Sequence, residues 1–518
     1  MKKIIAFALS IVLLLGVLPL SASATEENFE NYEECIYDAL YNMKETADLS
    51  EYNVDFAEVE KYLSFIFNQH PEIYYLTSAS MVSQTGLLEF SYSIEKEQML
   101  AERKFVEEQT SPVINRIKPE WTDTQKALFI HDWLVANFMY DYRLYEYEGK
   151  ENHDIYGFLR DGIGVCQSYA YTFMYMARKV GLESYLVISP EKDTDGDGIA
   201  DVAGHGWNVV KIDGNWYHVD ATYDDPILGQ SFKYDFVGEV SHSKFLLSDE
   251  QIRTDLNHYD YFVPCVEEEI VCEEYTGADL WRNATSAVLE INGYWYYLDP
   301  NGHNGGLKKT KDFVTAERVC ELGYYYDKWD RYAWQVGNYL HDGYFTGLFE
   351  YNEHLFFSDS TKIYVYDSHH DKINALPIEL PEGNYYFGLN MNGKTITYIT
   401  SRKSIAENVV QGSYTLNGHS LVTEWEVVKE ATDGEDGLKI KRCYFCGEIV
   451  QSQTIPALNQ LKKGDVDGNG TVNASDLAYL KLFLAGSGIE VGSAADYNGD
   501  GEVNATDLAY LKLHLAGA

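Results

Sequence analysis

The spacing of apolar residues predicts three helices in the first part of the chain. Helical periodicity runs through residues 31–43 and 56–67, and it returns over residues 122–140. Thr122 precedes the third run and Gln125 follows three residues later, which is the pattern of a capping box at a helix start. We therefore expect helices at all three places, the third with a defined first residue.

Short β-type runs dominate residues 286–416. Tyrosine-rich and β-branched stretches alternate there with turn residues, and residues 86–94 predict an earlier strand. Three similar segments begin near Ala287, Gly347 and Gly388, but three irregular units would not close a β-propeller. We predict a β-rich domain whose tyrosines fill half-buried sheet faces, with stacking on sugars as the alternative.

The first 24 residues have the pattern of a secretory signal peptide. Lys2 and Lys3 precede an apolar run over residues 4–20, and small residues stand at 22 and 24. An uncleaved membrane anchor is the alternative, although no later stretch reaches the roughly 20 apolar residues of a membrane helix. We expect cleavage after Ala24 and export of the mature chain.

Composition and charge narrow the possible functions. The 518 residues include 81 acidic and 40 basic side chains, and the net charge of −41 repels phosphate backbones and argues against nucleic-acid binding. Apolar residues make up 45% of the chain, as in a globular protein. An odd number of cysteines does not form a complete disulfide framework, so at least one thiol is unpaired within the chain. The cysteines are Cys35, Cys166, Cys265, Cys272, Cys320, Cys443 and Cys446.

Cys166 lies at the predicted start of a helix. Residues 161–165 contain two glycines and predict a loop, and residues 169–180 have a helical pattern that ends at Gly181. Unpaired N–H groups at a helix start stabilise an anion, so this position lowers the pKa of a thiol and favours a nucleophilic thiolate. A buried structural cysteine is the alternative.

A predicted β-hairpin brings a histidine and a carboxylate together downstream. An Asp-Gly pair at residues 213–214 separates two β-type runs, which is a strong signal for a two-residue turn. With that turn, Asp220 shares a sheet face with His205 and lies diagonal to it, within hydrogen-bonding reach. We predict that Asp220 orients His205, whose other ring nitrogen serves Cys166.

Four short motifs surround these residues. They are IHDWL at 130–134, GVCQSYA at 164–170, HGWN at 205–208 and WYHVDAT at 216–222. Together they resemble the bacterial transglutaminase-like cysteine enzymes, which have a papain-like Cys-His-Asp core, over about residues 60–226. The resemblance implies that Cys166 is the nucleophile, His205 the general base and acid, and Asp220 the orienting carboxylate.

The implied chemistry is acyl transfer on an amide through an acyl-enzyme. Water as acceptor gives a protease or amidase, and a lysine amine gives a cross-linking transglutaminase; the family resemblance favours a peptidase. His218 is a weaker candidate for the base, and Asp224 and Asp225 are weaker candidates for the carboxylate. The alternative from another class is a noncatalytic adaptor, with a degenerate core and a β-rich domain that binds carbohydrate or protein.

An acidic loop precedes His205. Carboxylates stand at positions 1, 3, 5 and 9 of a loop that begins at residue 193, a spacing that suits the oxygen ligands of Ca²⁺, although position 12 is Gly204. The loop resembles thrombospondin-type calcium repeats, and a solvated acidic loop is the alternative. Calcium there would rigidify the strand that presents His205. The candidate ligands are Asp193, Asp195, Asp197 and Asp201.

A loop–helix pattern occurs twice near the carboxyl terminus, 31 residues apart. Oxygen-bearing side chains fall at positions 1, 3, 5, 9 and 12 of each loop, and position 7 offers a backbone carbonyl. The pair resembles a type I dockerin over residues 463–517, with an ordinary EF-hand pair as the alternative. The candidate calcium ligands are Asp465, Asp467, Asn469, Thr471, Asn473 and Asp476, then Asp496, Asn498, Asp500, Glu502, Asn504 and Asp507.

The dockerin resemblance also implies a partner, the cohesin module of a scaffoldin. Ala474, Ser475, Ala505 and Thr506 stand at the positions that usually contact cohesin, and their similarity between the two copies suggests two rotated binding modes. Upstream, residues 419–458 resemble a small β module of bacterial surface proteins. Cys443 and Cys446 there supply only two zinc ligands and His419 is distant in sequence, so we expect a local disulfide or two thiols rather than zinc.

These patterns predict a secreted multidomain α+β protein, and the dockerin resemblance implies a cellulosome-type complex with a place in polysaccharide catabolism. The expected parts are a signal peptide (1–24), an α+β region packing on the core (25–115), a papain-like, transglutaminase-like catalytic core (116–250), a β-rich domain (251–415), a small β module (416–460) and an all-α calcium-binding dockerin (461–518).

Overall fold

The computed structural model describes residues 31–82, 85–141, 152–195, 197, 200, 202–225, 238–263, 266, 269–275, 280–299, 306–322, 332–336, 339–343, 347–359, 361–382, 384–402, 410–416, 425–432, 435–443, 447–457 and 462–517. The chain divides into two compact units, Met1–Thr415 and Leu416–Ala518. Within the described ranges, no helix has the length and apolar character needed to cross a membrane. The predicted signal peptide, Asp201, Cys265, His419 and Cys446 lie outside those ranges.

An α+β region begins the first unit, and its helices share one apolar interior with a three-stranded sheet. The strand order is β1-β3-β2. The elements are α1 (Tyr32–Tyr41), β1 (Thr46–Asp48), α2 (Phe56–Gln69), β2 (Leu76–Val82), β3 (Leu87–Tyr92) and α3 (Lys96–Ile114). The two predicted helices and the predicted strand are confirmed here.

A four-stranded antiparallel sheet and a buried helix form the centre of the first unit. Its strands are β6 (Ser184–Ser189), β7 (His205–Ile212), β8 (Asn215–Val219) and β9 (Phe245–Leu247), in that order. The surrounding elements are α4 (Asp123–Asn137), the parallel strands β4 (Met139–Tyr140) and β5 (Ile163–Gly164), and the helices α5 (Ile155–Asp161), α6 (Cys166–Lys179), α7 (Ala221–Asp224) and α8 (Asp249–Ile252).

Helix α4 begins as predicted and ends early. Thr122 accepts from the backbone N–H of Gln125, whose side chain accepts from the backbone N–H of Thr122, so the capping box is confirmed. The helix ends at Asn137 instead of residue 140, because β4 leaves the helical path to pair with β5. Tertiary pairing overrides the helical periodicity at this end.

The hairpin of β7 and β8 has the predicted register. Ile212 pairs with Asn215, and the turn residues Asp213 and Gly214 have φ values of 49° and 89°. Positive φ at both central residues is the requirement of a type I′ turn, which Asp-Gly meets. Strand β8 ends at Val219, so the backbone turns into α7 at Asp220 instead of continuing the ladder.

Gln69 joins the amino-terminal region to this sheet. Its buried side-chain amide donates to the backbone carbonyl of Leu186 at 3.0 Å and accepts from the Leu186 N–H at 2.8 Å. Leu186 lies on β6, whose other side pairs with β7. The glutamine therefore takes the place of a neighbouring strand and satisfies backbone groups that an open sheet edge would leave unpaired.

Antiparallel sheets of four, two, four and three strands make up the rest of the first unit. They contain β10–β13 (Leu289–Ile291, Tyr294–Asp299, Gly306–Thr310, Ala316–Cys320), β14–β15 (Tyr332–Val336, Tyr339–Gly343), β16–β19 (Leu348–Tyr351, His354–Ser358, Ile363–Asp367, Lys372–Ala375) and β20–β22 (Asn384–Asn392, Thr395–Arg402, Val410–Thr415). Trp295, Tyr296 and Tyr297 on β11 are all buried, so these aromatic rings fill sheet faces, as predicted.

The second unit contains a small sheet and two loop–helix repeats. Strands β23 (Glu426–Lys429), β24 (Gly437–Arg442) and β25 (Ile449–Ile455) form the sheet, and the helices are α9 (Ala474–Leu484) and α10 (Ala505–Leu515). Leu480 and Leu511 stand at equivalent positions of the two helices, are fully buried and share one core. The sequence duplication is therefore a structural duplication.

Candidate active site and calcium loops

Cys166 is the first residue of α6, which packs against the central sheet. Val165 takes the cap position with extended backbone, so the helix starts three residues before its helical pattern becomes visible. Burial would raise the pKa of the Cys166 thiol, but the charge on His205 and hydrogen bonds with the His205 ring and the Gly206 N–H lower it overall. The lowered pKa favours the thiolate, which is the nucleophilic form of the cysteine.

His205, at the start of β7, lies between the sulfur and a buried carboxylate. Its Nε2 donates to Oδ2 of Asp220 at 2.7 Å, so Nδ1 is the ring nitrogen left for Cys166. Burial favours the neutral ring, yet the charges on Asp220 and Cys166 raise the pKa of His205 to about 10. The arrangement favours an imidazolium beside a thiolate.

The carboxylate of Asp220 accepts backbone hydrogen bonds in addition to the one from His205. As the cap of α7 it accepts at Oδ1 from the backbone N–H groups of Thr222 and Tyr223, at 3.1 and 3.2 Å. Burial opposes its ionisation, but the charge and hydrogen bond of His205 hold its pKa far below the ordinary value. The structure thus brings Cys166, His205 and Asp220 together in the predicted order.

A second histidine, His258, contacts the same carboxylate. Its Nε2 donates to Oδ2 of Asp220 at 2.8 Å, and its side chain is fully buried. It lies in the 3₁₀ turn Leu256–His258, 38 residues after Asp220. Sequence reasoning missed this residue because it belongs to no periodic element and no motif.

The weaker candidates for base and carboxylate are engaged elsewhere. His218 accepts at Nδ1 from the Trp207 indole at 2.9 Å and donates from Nε2 to Asp249 at 2.8 Å. Asp224 accepts from Ser243 and from the Lys244 backbone N–H, both at 2.9 Å. Asp225 accepts from the Tyr169 hydroxyl, and burial raises its pKa to about 8. These contacts give each group a structural partner other than Cys166.

The histidine of the IHDWL motif, His131, is held by two carboxylates. His131 is fully buried, with Nδ1 2.8 Å from Asp132 and Nε2 3.2 Å from Asp224. Burial favours its neutral form, but hydrogen bonds to these two carboxylates raise its pKa to about 9. Asp132 also accepts from His242 at 2.9 Å and from the Val288 N–H at 2.7 Å. The motif therefore ties α4 to α7 and to the first residues of the β-rich region.

The acidic loop before His205 brings three of its four candidate ligands together. Asp193, Asp195 and Asp197 each place a carboxylate oxygen within 4.8 Å of the others, and all three are exposed. Reciprocal backbone hydrogen bonds of 3.0 Å between Lys192 and Val202 close the loop. The fourth candidate, Asp201, lies outside the described residues.

The first carboxyl-terminal loop has the chemistry of a cation site. Asp465, Asp467 and Asp476 place carboxylate oxygens within 4.8 Å of one another. Asp465 is buried, and its Oδ1 has no hydrogen-bond partner among the described residues. A buried oxygen without a donor calls for a cation, so these residues fit Ca²⁺.

The second loop repeats the arrangement. Asp496 accepts from the backbone N–H groups of Gly499 and Gly501, at 2.7 and 2.8 Å. Asp507 accepts from the backbone N–H groups of Asn498 and Asn504, at 2.9 and 2.8 Å. Asp476 makes the equivalent contacts in the first loop. Both loops thus wrap around their position 12 carboxylates.

Two known families match parts of the chain that include these sites. The transglutaminase-like superfamily matches residues 112–221, and the type I dockerin domain matches residues 463–516. The chain therefore contains a transglutaminase-like domain and a type I dockerin domain. The matched core contains Cys166, His205 and Asp220, and the matched dockerin contains both duplicated loops. Type I dockerin domains bind calcium, in keeping with the orphaned oxygen of Asp465.

Solved structures similar to this chain cover a limited part of it. One, titled "Crystal structure of a TGase", is 15% identical, with a TM-score of 0.21, over 28% of this chain and 36% of its own. Another, titled as a "Putative Cysteine Protease" from Cytophaga hutchinsonii, is 19% identical, with a TM-score of 0.18, over 23% of this chain and 37% of its own. The chain thus spans little more than a third of each. No curated protein matches it.

A third family, described as "Putative cell wall binding repeat", matches residues 289–303. Trp295, Tyr296 and Tyr297 of that segment are buried at 2–3% exposure. The face of Tyr294 lies under the ammonium groups of Lys309 and Lys311, at 5.0 and 4.3 Å from the ring centroid. The aromatic rings of this segment therefore serve packing and internal cation–π contacts.

The predicted partner positions of the dockerin open its two helices. Ala474 and Ser475 begin α9, Ala505 and Thr506 begin α10, and all four side chains are exposed. Further along, the pairs Tyr479 with Tyr510 and Leu482 with Leu513 are exposed at equivalent positions 31 residues apart. Each helix therefore presents the same polar start followed by the same apolar side chains.

Proposed function

We propose that this chain is a secreted, cysteine-dependent acyl-transfer enzyme, attached by its dockerin to a cohesin-bearing scaffold. The contact of Cys166 with His205, and of His205 with Asp220 at 2.7 Å, carries the proposal. A nucleophile, a base and an orienting group in one line are what acyl transfer on an amide needs. Cellulosome-type complexes act on polysaccharide, so we place the enzyme there as an accessory to polysaccharide catabolism.

In the proposed reaction, the Cys166 thiolate attacks the amide carbonyl carbon and forms a C–S bond. The backbone N–H of Cys166, at the start of α6, donates to the developing oxyanion. Imidazolium His205 then gives its Nδ1 proton to the leaving amine as the C–N bond breaks. Neutral His205 next takes a proton from the acceptor, which attacks the thioester and releases the sulfur. Water as acceptor gives hydrolysis, which we favour over transfer to a lysine amine because of the family resemblance.

The surface beside the sulfur favours a substrate with an apolar side chain near the reacting amide. Ile188 pairs with Gly206 on one side and bridges to Phe262 on the other. Directly opposed residues project to the same face, so Ile188 and Phe262 lie side by side, with 41% and 74% of their surfaces exposed. Gly206 adds no side chain to this row, and its N–H reaches Cys166. The row therefore forms an apolar wall beside the nucleophile.

Peptide digestion tests this wall. Peptides with an apolar residue next to the cleaved bond should be preferred, and Ile188→Asp should lower kcat/KM for them roughly tenfold, the scale of one lost apolar contact. The rate at which iodoacetamide alkylates Cys166 should stay unchanged, since it reports the thiolate alone. Equal cleavage of polar and apolar peptides would contradict the assignment.

A noncatalytic adaptor is the competing function, and one labelling experiment separates the two. An enzyme predicts a single thiol, Cys166, that reacts with an electrophilic probe at pH 6, and the Cys166→Ala variant should lose both labelling and peptide cleavage. An adaptor predicts no such thiol and a function that survives Cys166→Ala. Wild-type protein that labels no faster at Cys166 than at Cys272 would refute the enzyme.

Calcium is the proposed cofactor of the dockerin, with one ion in each loop. Asp465, Asp467, Asn469, Asn473 and Asp476, with the carbonyl of Thr471, would hold the first ion. Asp496, Asn498, Asp500, Asn504 and Asp507, with the carbonyl of Glu502, would hold the second. The bound ions would order the loops so that Ala474, Ser475, Ala505 and Thr506 face cohesin.

A third calcium ion is proposed at Asp193, Asp195, Asp197 and Asp201. The convergence of three of these carboxylates supports it. Val202 closes the loop and His205 begins β7 three residues later, so an ion there would rigidify the entry to the strand that carries the base. Chelation of a variant that lacks the dockerin should then lower catalytic activity, and unchanged activity would contradict this third site.

A further inference from the structure

His258 is the one described side chain besides His205 that donates to the carboxylate of Asp220. The two Nε2 atoms lie 2.8 and 2.7 Å from the same oxygen, Oδ2. The other oxygen, Oδ1, accepts from the backbone N–H groups of Thr222 and Tyr223. Four donors therefore surround Asp220, and the carboxylate cannot rotate without losing at least one of them.

The His258 ring is clamped by its neighbours. Its centroid lies 4.9 Å from that of Trp207, 4.7 Å from that of Tyr223 and 5.2 Å from that of His205, each pair edge to face. Tyr223 and Trp207 also contact the His205 ring, at 5.0 and 5.5 Å. The two imidazoles are thus fixed relative to each other by shared aromatic walls as well as by a shared carboxylate.

The remaining nitrogen of His258 has no hydrogen-bond partner among the described residues. Its Nδ1 lies 3.7 Å from Oδ2 of Asp255, beyond hydrogen-bonding distance, and Asp255 itself pairs with Lys244 at 2.7 Å. Among the described residues, the side-chain hydrogen bond of His258 is therefore directed to Asp220 alone. Besides Asp220, the titratable groups that face the ring are His205, Tyr223, Asp255 and, on β8, His218.

We infer that His258 is a positioning residue, which holds Asp220 in the rotamer that orients His205 toward Cys166. This inference rests on the proposed function. Without His258, three donors instead of four hold the Asp220 carboxylate, so Oδ2 can move away from the Nε2 of His205 more easily and the imidazolium loses part of its counter-charge. The thiolate of Cys166 then loses part of its stabilisation, because it depends on that imidazolium.

The experiment measures alkylation of Cys166 by iodoacetamide from pH 4 to pH 10, by peptide mapping of the full-length protein with calcium present. For His258→Leu we expect the midpoint of the profile to rise by about one pH unit and the rate at pH 6 to fall roughly tenfold, the lower end for a lost hydrogen bond to a charged group. His258→Gln places an amide N–H near the position of Nε2 and should restore the rate to within about threefold. His258→Asn, whose amide is too short to reach Asp220, repeats the test should the leucine variant not fold.

His218→Leu is the matched control, because His218 is equally buried and donates to a different aspartate, Asp249. It should lower stability without moving the alkylation midpoint. A wild-type midpoint at the ordinary thiol value overturns the proposed function and this inference with it. An acid-shifted wild-type midpoint that His258→Leu and His258→Asn leave unchanged overturns the inference alone, and so does an equal shift in His218→Leu.

Discussion

Replacing Asp220 by asparagine tests the proposed site directly, because four hydrogen-bond donors converge on one carboxylate. Oδ2 accepts from His205 and His258, and Oδ1 accepts from two backbone N–H groups. An asparagine amide has one acceptor oxygen and one donor nitrogen. In either orientation its NH₂ group faces two donors, so the isosteric substitution cannot satisfy the site.

The magnitude follows from these contacts. The amide loses a hydrogen bond to a charged group, about 1.5–3 kcal/mol, and leaves buried donors facing one another, about 1–3 kcal/mol. Together these give about 2.5–6 kcal/mol, and at about 1.4 kcal/mol per factor of ten the turnover should fall by roughly 10² to 10⁴. If the asparagine oxygen faces the two backbone N–H groups, its NH₂ group faces His205. The Nε2 of His205 must then carry no proton, which is the wrong tautomer for a base that serves Cys166 through Nδ1.

Alkylation of Cys166 at pH 6 supplies an assay that needs no known substrate. A thiol with an ordinary pKa of about 8.5 is roughly 0.3% ionised at pH 6, so loss of the imidazolium should slow alkylation by about 10². Asp249→Asn is the matched control, since Asp249 also accepts a hydrogen bond from a buried histidine, His218, but does not contact Asp220. Alkylation of Asp220→Asn within threefold of wild type, with the fold intact by circular dichroism, would refute the proposed site.

Three further predictions concern His131 on α4, the dockerin, and Gly206 on β7. The pKa of His131 is raised to about 9, so its contribution to stability is complete below about pH 6.5 and is lost as the pH rises through about 9. The thermal unfolding midpoint of the wild-type protein should therefore fall over that pH range. An equal fall in the His131→Gln variant would assign the effect to another group. Asp476→Asn combined with Asp507→Asn should abolish calcium-induced folding and cohesin capture of the dockerin while leaving Cys166 alkylation unchanged, and a double mutant that still binds cohesin would contradict the ligand assignment. At Gly206 an added Cβ would meet atoms no closer than 3.5 Å, so Gly206→Ala should keep alkylation within about threefold of wild type, and a larger loss would show that the glycine has another role.

Much of the core could be predicted because short-range rules determine it. The Asp-Gly turn fixes the register of β7 and β8, and register decides which side chains share a sheet face. Helix α6 follows from its periodicity, whereas the loop predicted over residues 161–165 contains the short strand β5, because Ile163 and Gly164 pair with β4. Those signals place Asp220 beside His205 and Cys166 at a helix start, and the family resemblance implies that Cys166 meets His205.

The parts that sequence reasoning missed depend on how irregular segments cross the core. His258 reaches Asp220 from a 3₁₀ turn whose sequence has neither a helical nor a strand period. Asp220 itself caps a four-residue helix instead of extending β8, a difference that periodicity cannot report over so short a stretch. Tertiary contacts determine where such segments lie, and no local sequence pattern predicts those contacts.

The short helix α7 explains why the IHDWL motif accompanies the nucleophile motif. Asp220 caps the helix at one end, and Asp224 at the other end accepts hydrogen bonds from His131 and from the Lys244 backbone N–H. The Lys244 carbonyl in turn accepts from the Asp220 N–H at 3.0 Å, so one residue holds both ends. A displacement of His131 on α4 would therefore move Asp220 through a single helical turn. On this reasoning the motif sets the position of the carboxylate without touching the sulfur, and its loss should act on His205 before it acts on overall folding.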